Sequence, residues 1–538
     1  MKYVRRFADA TAAINAKDIV TPNVSYVDDT INKVFMMDSD DGTEKPLEFV
    51  EKDGELILQE PYNGPASNEI WYTTTDNEIV TTDNDSCFGA TLISNEFDSS
   101  IGYFVLKFDG PIDLLDGEMG AGDEYHGAFT YCMNLLTVYL PNGVSKIGTG
   151  TFNGCASLTN VVIPNSIKYI GNSAFGYCGG LSSITIPYGV TYINDDAFAC
   201  CYALSEINIP NTITYIGDNA FYSCDSLPVI DNIRYADTCA MGVSDDSLST
   251  YKIKDGTRFI GGYTFSGCES LSAITIPYTV ISVGNDAFYY CNSLPIIDNI
   301  RYADTVAVGV IDTELTDYTI KEGTRFIGNS AFIECKSLSS ITIPDSVISI
   351  GDATFQGCSS LSSITISSSV TSIGGYAFSR CTALSSITIP NSVTSVGEGA
   401  FFNCTSLSSI TIPNSVTHIG DRAFFGCSAL SSITIPYNIT SIGDSVFNNC
   451  ASLNNIRIPD SVTAIYYSAF SGCTSLSSIT IPNSVNSIED SSFNMCTSLS
   501  DFRYNGTIAE WANVGLGGDW KDNAPFTVVH CTDGDYNL

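Results

Sequence analysis

The sequence predicts a repeat solenoid dominated by β-strands with short helical turns, about fifteen coils of 23 residues, flanked by a β-rich N-terminal module and a C-terminal cap. Three observations carry that reading. Fifteen of the nineteen cysteines share one register: Cys132, Cys155, Cys178, Cys201 and Cys224, then Cys268 and Cys291, then Cys335 through Cys496, each 23 residues apart except for two jumps of 44. Counting each register cysteine as zero, apolar residues recur at +3, +6, +8, +12, +15, +19 and +20. A unit of that size cannot bury its own apolar stripe, so neighbouring units must stack. Cys87, Cys200, Cys239 and Cys531 fall outside the register, and no paired cysteines have the spacing of a zinc site.

Within one unit, Ile387 and Ile389 flank Thr388, the period of two that marks a half-buried strand. Pro390 ends that strand because it brings no N–H to a ladder, and Asn391-Ser392 supplies the turn. Val393–Val396 is a second short extended piece, closed by Gly397. The Ala-Phe-x-x-Cys-x-x-Leu after it has spacings of three, which suit one helical turn. At the separation of stacked strands like residues form columns, and neighbouring cysteine Cα atoms come within disulfide range. Side chains in such a column run parallel, so buried thiols acting as small hydrophobes are the expected state.

The two jumps of 44 contain near copies, 228–254 and 295–321, each adding 21 residues. Ile-Arg-Tyr-Ala and the apolar stretch after it read as a β-hairpin projecting from the array, either a binding face or a tolerated surface loop. Residues 1–60 stand apart from the repeat, with an Ala-rich helix near 7–16 and a hairpin from Asn23 to Met37, and read as a simple folded cap or, as the second resemblance given below implies, an attachment segment. Residues 61–130 form the β-rich module, in which Tyr103–Phe108 is expected to seal the first coil of the 131–500 solenoid. In the cap, 501–538, Thr507–Val514 suggests a short helix, Thr527–Thr532 a last strand, and Trp511 and Trp520 its core.

Charge narrows the function. The chain carries −36, and residues 1–130 hold half of it, with 26 acidic against 8 basic side chains. Such a field repels phosphate backbones, so no nucleic-acid partner is expected. No apolar run is long enough for a membrane span, and the leader lacks the apolar core of a signal peptide. No phosphate-binding glycine loop, nucleophile elbow or multi-histidine set occurs, so neither catalytic residues, metal nor cofactor is expected. The candidate ligand residues lie at +14, where Tyr169, Tyr192 and Tyr215 follow one another, Phe259 and Phe326 occupy the same place after the inserts, and Tyr188 stands beside them. Aromatic faces in a row suit the C–H faces of sugar rings, and they equally suit cross-strand packing without a ligand. Later units place Ser349, Ser372, Ser395, His418 and Ser441 there, and the Thr342 to Thr434 row at +7 reads as a solvated sheet face.

Leu-Ser-Ser-Ile-Thr-Ile-Pro-Asn-Ser-Val-Thr-Ser, followed by Ile-Gly or Val-Gly and Ala-Phe-x-x-Cys, resembles the BspA-like (Treponema pallidum-type) leucine-rich repeat over about 131–500. The resemblance implies a right-handed leucine-rich-repeat solenoid of the kind found in surface adhesins and in gut-bacterial and phage proteins, with no enzymatic activity. Tyr3-Val-Arg-Arg-Phe7, Thr21-Pro-Asn-Val-Ser-Tyr-Val27 and Asn68-Glu-Ile-Trp-Tyr-Thr-Thr74 resemble leader modules of virion-associated proteins from phages of gut Bacteroidales. Together these imply a non-enzymatic structural and adhesive virion component, oligomeric in its assembly. It would dock to other virion proteins through its N-terminal module and display a surface for a host glycan or protein. The alternative is a bacterial cell-surface adhesin of the BspA-like type.

Overall fold

The computed structural model describes residues 64–538, apart from 83–84, 113–114, 116 and 120–124, and before residue 64 only the backbone of four strands. Val24–Asp28, Lys33–Met37, Glu44–Lys52 and Glu55–Gln59 form an antiparallel sheet in that order, so the expected hairpin is present. The Ala-rich helix expected near 7–16 lies outside the described residues. The chain divides into two compact units, 1–227 and 228–538.

A regular coil of the second unit shows how 23 residues close. Ser386–Thr388 pairs in parallel with Ser363–Thr365 and Ser409–Thr411, and Ser395–Val396 with Ser372–Ile373 and His418–Ile419. The stretch expected to make a helical turn does something more economical with its N–H groups. Those of Gly399, Phe401 and Asn403 donate to the carbonyls of Asp421, Ala423 and Phe425 in the next coil, at 2.7–2.8 Å. Those of Ala400, Phe402 and Cys404 turn back to Gly397, Gly399 and Phe401. Alternate residues thus serve the stack and the turn, which requires left-handed backbone at Gly399 (φ 54) and Asn403 (φ 55). The glycine of the Ile-Gly or Val-Gly step has a different cause. A Cβ on Gly420 would lie 2.4 Å from the backbone N of Glu398 in the preceding coil.

The interior consists of columns. Phenylalanines of successive coils stack almost face to face, Phe378 on Phe401 at 5.5 Å and 5°, for example. Beside them twelve of the fifteen register thiols, all but Cys132, Cys268 and Cys335, donate to the carbonyl of the phenylalanine one coil back, Cys404 Sγ to Phe378 O at 3.0 Å and Cys427 Sγ to Phe401 O at 3.1 Å, for example. That carbonyl already accepts the N–H of its own coil's cysteine. The column of cysteines is therefore a column of small buried donors that bridge neighbouring coils, and eighteen of the nineteen cysteines are buried. Burial pushes the thiols up, Cys381 and Cys427 to about 12, which keeps them protonated and able to donate.

The inserts are not loops projecting from the array. Ile300–Ala303 and Val306–Val310 do form an antiparallel hairpin, but Val306–Ala307 then pairs in parallel with Phe326–Ile327, and Ile300, Tyr302, Ala303, Val306 and Ala307 are buried. The hairpin leads into a further complete coil that lacks a cysteine: Asp312 stands at zero, Leu315 at +3, Tyr318 at +6, Ile320 at +8, Ile327 at +15 and Phe332 at +20. Tyr318 fills the place of the missing thiol, with its hydroxyl donating to the Asp312 carbonyl and lying 3.9 Å from Cys335 Sγ, and its ring capping Phe332 edge-on at 5.3 Å. Tyr251 does the same between Asp245 and Cys268. Two such coils raise the number from about fifteen to about seventeen.

Both ends are sealed by sheet. In the first unit the order is Asn160–Val162, Leu135–Tyr139, Glu69–Thr74, Tyr103–Phe108, Leu92–Asp98. Glu69–Thr74, not Tyr103–Phe108 as expected, lies antiparallel against the first coil. It can do so because Ile70 and Tyr72 point inward at the spacing the coil requires. At the far end of the second unit, Phe502 meets Phe493 at 90°, which stops the stack, and Trp511, Trp520 and Phe526 pack around it. The helix there is the single turn Ile508–Trp511, closed by a Thr507–Glu510 capping box. The strand expected to be the last, Val528–Cys531, is followed by one more, Gly534–Asn537, which pairs antiparallel with it.

Candidate ligand-binding surface

In the first unit, four two-residue strands, Lys146–Ile147, Tyr169–Ile170, Tyr192–Ile193 and Tyr215–Ile216, lie in parallel and in register. The second residue is buried in the first three and half-buried in the last, Ile216, so the first residues form one outward row: Lys146, Tyr169, Tyr192, Tyr215. The Lys146 ammonium sits 5.7 Å from the Tyr169 ring centre, and Asn194 Nδ2 donates to the Tyr169 hydroxyl, so this half-buried end of the row is held in place. Tyr192 and Tyr215 are each 44% exposed, with ring centres 6.2 Å apart and planes tilted by 44°. Tyr188, on the turn before Tyr192, is also exposed.

Phe259 and Phe326 hold the same register but are buried, and they drop out of any exposed row. The reason is the hairpin. Phe326 packs with Ala303 and Val306 of the hairpin strands, and the Arg325 guanidinium covers its ring at 5.2 Å; Arg258 lies over Phe259 in the same way at 5.1 Å. The Thr365, Thr388, Thr411 and Thr434 row is exposed, as expected of a solvated sheet face.

A second aromatic surface escapes the sequence reading. Tyr131, Tyr177, Tyr202 and Tyr222, beside the cysteine register in the first unit, are all more than half exposed. Tyr131 and Tyr177 have left-handed backbone (φ 57 and φ 58), a conformation in which bulky residues are uncommon. The signal that could have found them is their small offset of −1, +1 or −2 from the register cysteine, which periodicity in apolar residues masks.

Nothing reactive is assembled around these rings. Among the described residues no group of three or more His, Cys, Asp or Glu side chains is placed to hold a metal ion, and no helix is long and apolar enough to cross a membrane. The arrangement offers exposed aromatic faces and hydroxyl tips on an in-register parallel sheet.

Comparison with known proteins identifies the repeat. The family described as BspA type leucine rich repeat region (6 copies) matches residues 125–238, 243–306, 311–431 and 397–513, more than half of the chain. Among solved structures, a leucine-rich repeat protein from Bacteroides ovatus is 26% identical over 79% of this chain and 89% of its own, with a TM-score of 0.33. A leucine rich cell surface protein from Faecalibacterium prausnitzii is 32% identical over 63% of this chain and 92% of its own, with a TM-score of 0.30. The T. pallidum leucine rich repeat protein is 26% identical over 34% of this chain and 90% of its own, with a TM-score of 0.32. No curated protein matches. All of the family matches fall between 125 and 513, so they do not bear on the leader's resemblance to phage virion proteins.

Proposed function

From the premise that this chain belongs to the BspA-type leucine-rich-repeat family, we propose that it is a non-enzymatic binding protein of a bacterial cell surface, which recognises a glycan through its N-terminal coils. The observation that carries the reading is the outward row Tyr169–Tyr192–Tyr215 on one parallel, in-register sheet, with Lys146 at its end. Aromatic faces on a rigid array give a sugar ring a surface to lie on at low entropic cost, because Tyr has few rotatable bonds. The cell-surface location draws on the description of the 32% identical Faecalibacterium prausnitzii protein. It replaces the virion expected from the leader, for which the family matches offer no support.

The test is a glycan array probed with the full chain, followed by affinity measurement on the strongest hit with a Tyr192→Ser/Tyr215→Ser double variant. Losing two stacking faces is expected to weaken binding at least about tenfold. Unchanged affinity in the double variant would refute the row as the site.

A further inference from the structure

The cap sheet of the first unit carries a cavity on its solvent side, away from the tyrosine row. Alternation along its strands sends Ile70, Tyr72, Phe104, Leu106 and Phe108 into the core and leaves Glu69, Trp71, Val105 and Lys107 facing outward. Register sets Trp71 opposite Val105 and Glu69 opposite Lys107, with Glu96 beside Val105 on the edge strand. These side chains line a cavity of about 410 Å³, walled at the hairpin end by Phe97 and Ile101. That volume is at the small end of the ~300–1,000 Å³ usual for small-molecule sites.

Trp71 is a fixed wall. Its indole N–H donates to Glu69 at 3.2 Å, and its ring stacks on Tyr103 at 6.0 Å and 17°. Tyr103 in turn meets Tyr139 edge-on at 5.1 Å, with their hydroxyls 3.3 Å apart. A ring held from two sides loses little freedom when something lies on it. Around this apolar wall stand the carboxylates of Glu69, Glu96 and Asp98 and a single ammonium, Lys107, 3.5 Å from Glu69.

We propose that this cavity binds an uncharged hexopyranose unit of a glycan. An aromatic wall takes the C–H face of the ring. Carboxylates accept from the ring hydroxyls, and the ammonium donates to a ring or hydroxyl oxygen. The surplus of three carboxylates over one ammonium selects against sialic and uronic acids, phosphates and nucleic acid, whose own charge would be repelled. The site does not depend on the tyrosine row: it stands if the row binds nothing, and it fails separately.

The chain has three tryptophans, and Trp511 and Trp520 are buried in the C-terminal cap, so a ligand-induced change in tryptophan emission reports on Trp71. The full chain is titrated with the methyl glycosides of glucose, galactose, mannose and N-acetylglucosamine, and with sialic acid. A saturable change is expected with at least one neutral glycoside at millimolar concentration and none with sialic acid. By saturation-transfer NMR, Trp71→Ala and Glu96→Gln are expected to weaken that glycoside at least tenfold, while Tyr192→Ser/Tyr215→Ser leaves it unchanged. Glu96→Gln keeps the shape of an edge-strand side chain, so it tests the site even if Trp71→Ala disturbs the sheet. A flat titration with every neutral glycoside, equal binding of sialic acid, or undiminished affinity in Glu96→Gln would overturn the proposal.

Discussion

In the run of coils from Cys132 to Cys224, phenylalanine rings stack at 5.1–5.4 Å and the thiols from Cys155 on reach the previous coil's carbonyl at 3.0–3.2 Å. In the run from Cys335 to Cys496 the same spacings are 5.3–5.7 Å and, from Cys358 on, 3.0–3.2 Å. The interiors are interchangeable. The outward position +14 is not: the first run places Tyr169, Tyr192 and Tyr215 there, and the second Ser349, Ser372, Ser395, His418 and Ser441. A repeat constrains what every coil must share with its neighbours and leaves its outer face free, so function is to be sought where equal backbones carry unequal side chains.

The largest expected effect tests the equality of the interiors. Phe175→Ala in the first unit and Phe401→Ala in the second each remove one fully buried ring from a stack, a change that costs about 3–5 kcal/mol. Chemical denaturation should give losses that agree within about 1 kcal/mol, the spread of cavity relaxation. A cost confined to one unit would break the comparison.

The thiol column sharpens it. Cys178→Ala and Cys404→Ala each delete a buried sulfur and its hydrogen bond, to Phe152 O at 3.2 Å or Phe378 O at 3.0 Å, and are expected to cost about 1–2 kcal/mol apiece. Cys335, like Cys268, is an exception. It has the Tyr318 hydroxyl at 3.9 Å instead of a carbonyl one coil back, so Cys335→Ala should be compensated in part by Tyr318 and cost less than Cys404→Ala in the same denaturation assay. An equal or larger cost would show that the tyrosine does not stand in for the thiol column.

The cysteine ruler made the coil, its columns and its two-strand pattern readable, because a buried column tolerates few residue types and repeats them at fixed spacing. The same ruler hid two coils. Asp312-x-x-Leu315-x-x-Tyr318-x-Ile320 keeps the spacing of a coil, yet with Asp at zero and Tyr at +6 it reads as part of an insert. Burial at Phe259 and Phe326 was hidden for a related reason: the side chains that cover Phe326 come from a hairpin strand of the preceding coil, a contact between segments that one-dimensional register does not report. The tyrosine row at Tyr169, Tyr192 and Tyr215 was legible because it follows the register itself. The Trp71 cavity was not, since it depends on which of three non-repetitive strands lie side by side.

The smallest expected effect is a pH dependence that differs between the units. Asp196 in the first unit, and Asp286, Asp421 and Glu489 in the second, have their carboxyl pKa values raised in the folded chain, first by burial, with Asp195 adding to Asp196 and Asp444 to Asp421 and Glu489. A carboxyl whose folded pKa exceeds its unfolded one favours folding fully below the unfolded value, and that contribution is lost as pH rises through the folded value. Asp76, Asp98 and Asp245 work the other way, because hydrogen bonds to the charged form lower them; their contribution holds above the ordinary carboxylate range and fades below it. Asp76 and Asp98 belong to the first unit, whereas the raised carboxyls Asp286, Asp421 and Glu489 outnumber Asp245 in the second. Acidifying from pH 7 toward the upper edge of the carboxylate range should therefore slow backbone hydrogen exchange, after correction for its intrinsic pH dependence, more in coils around Asp286, Asp421 and Glu489 than in the cap sheet around Asp76 and Asp98. Equal protection in both regions across that range would mean that the outer carboxylates, like the inner columns, are energetically alike in the two units.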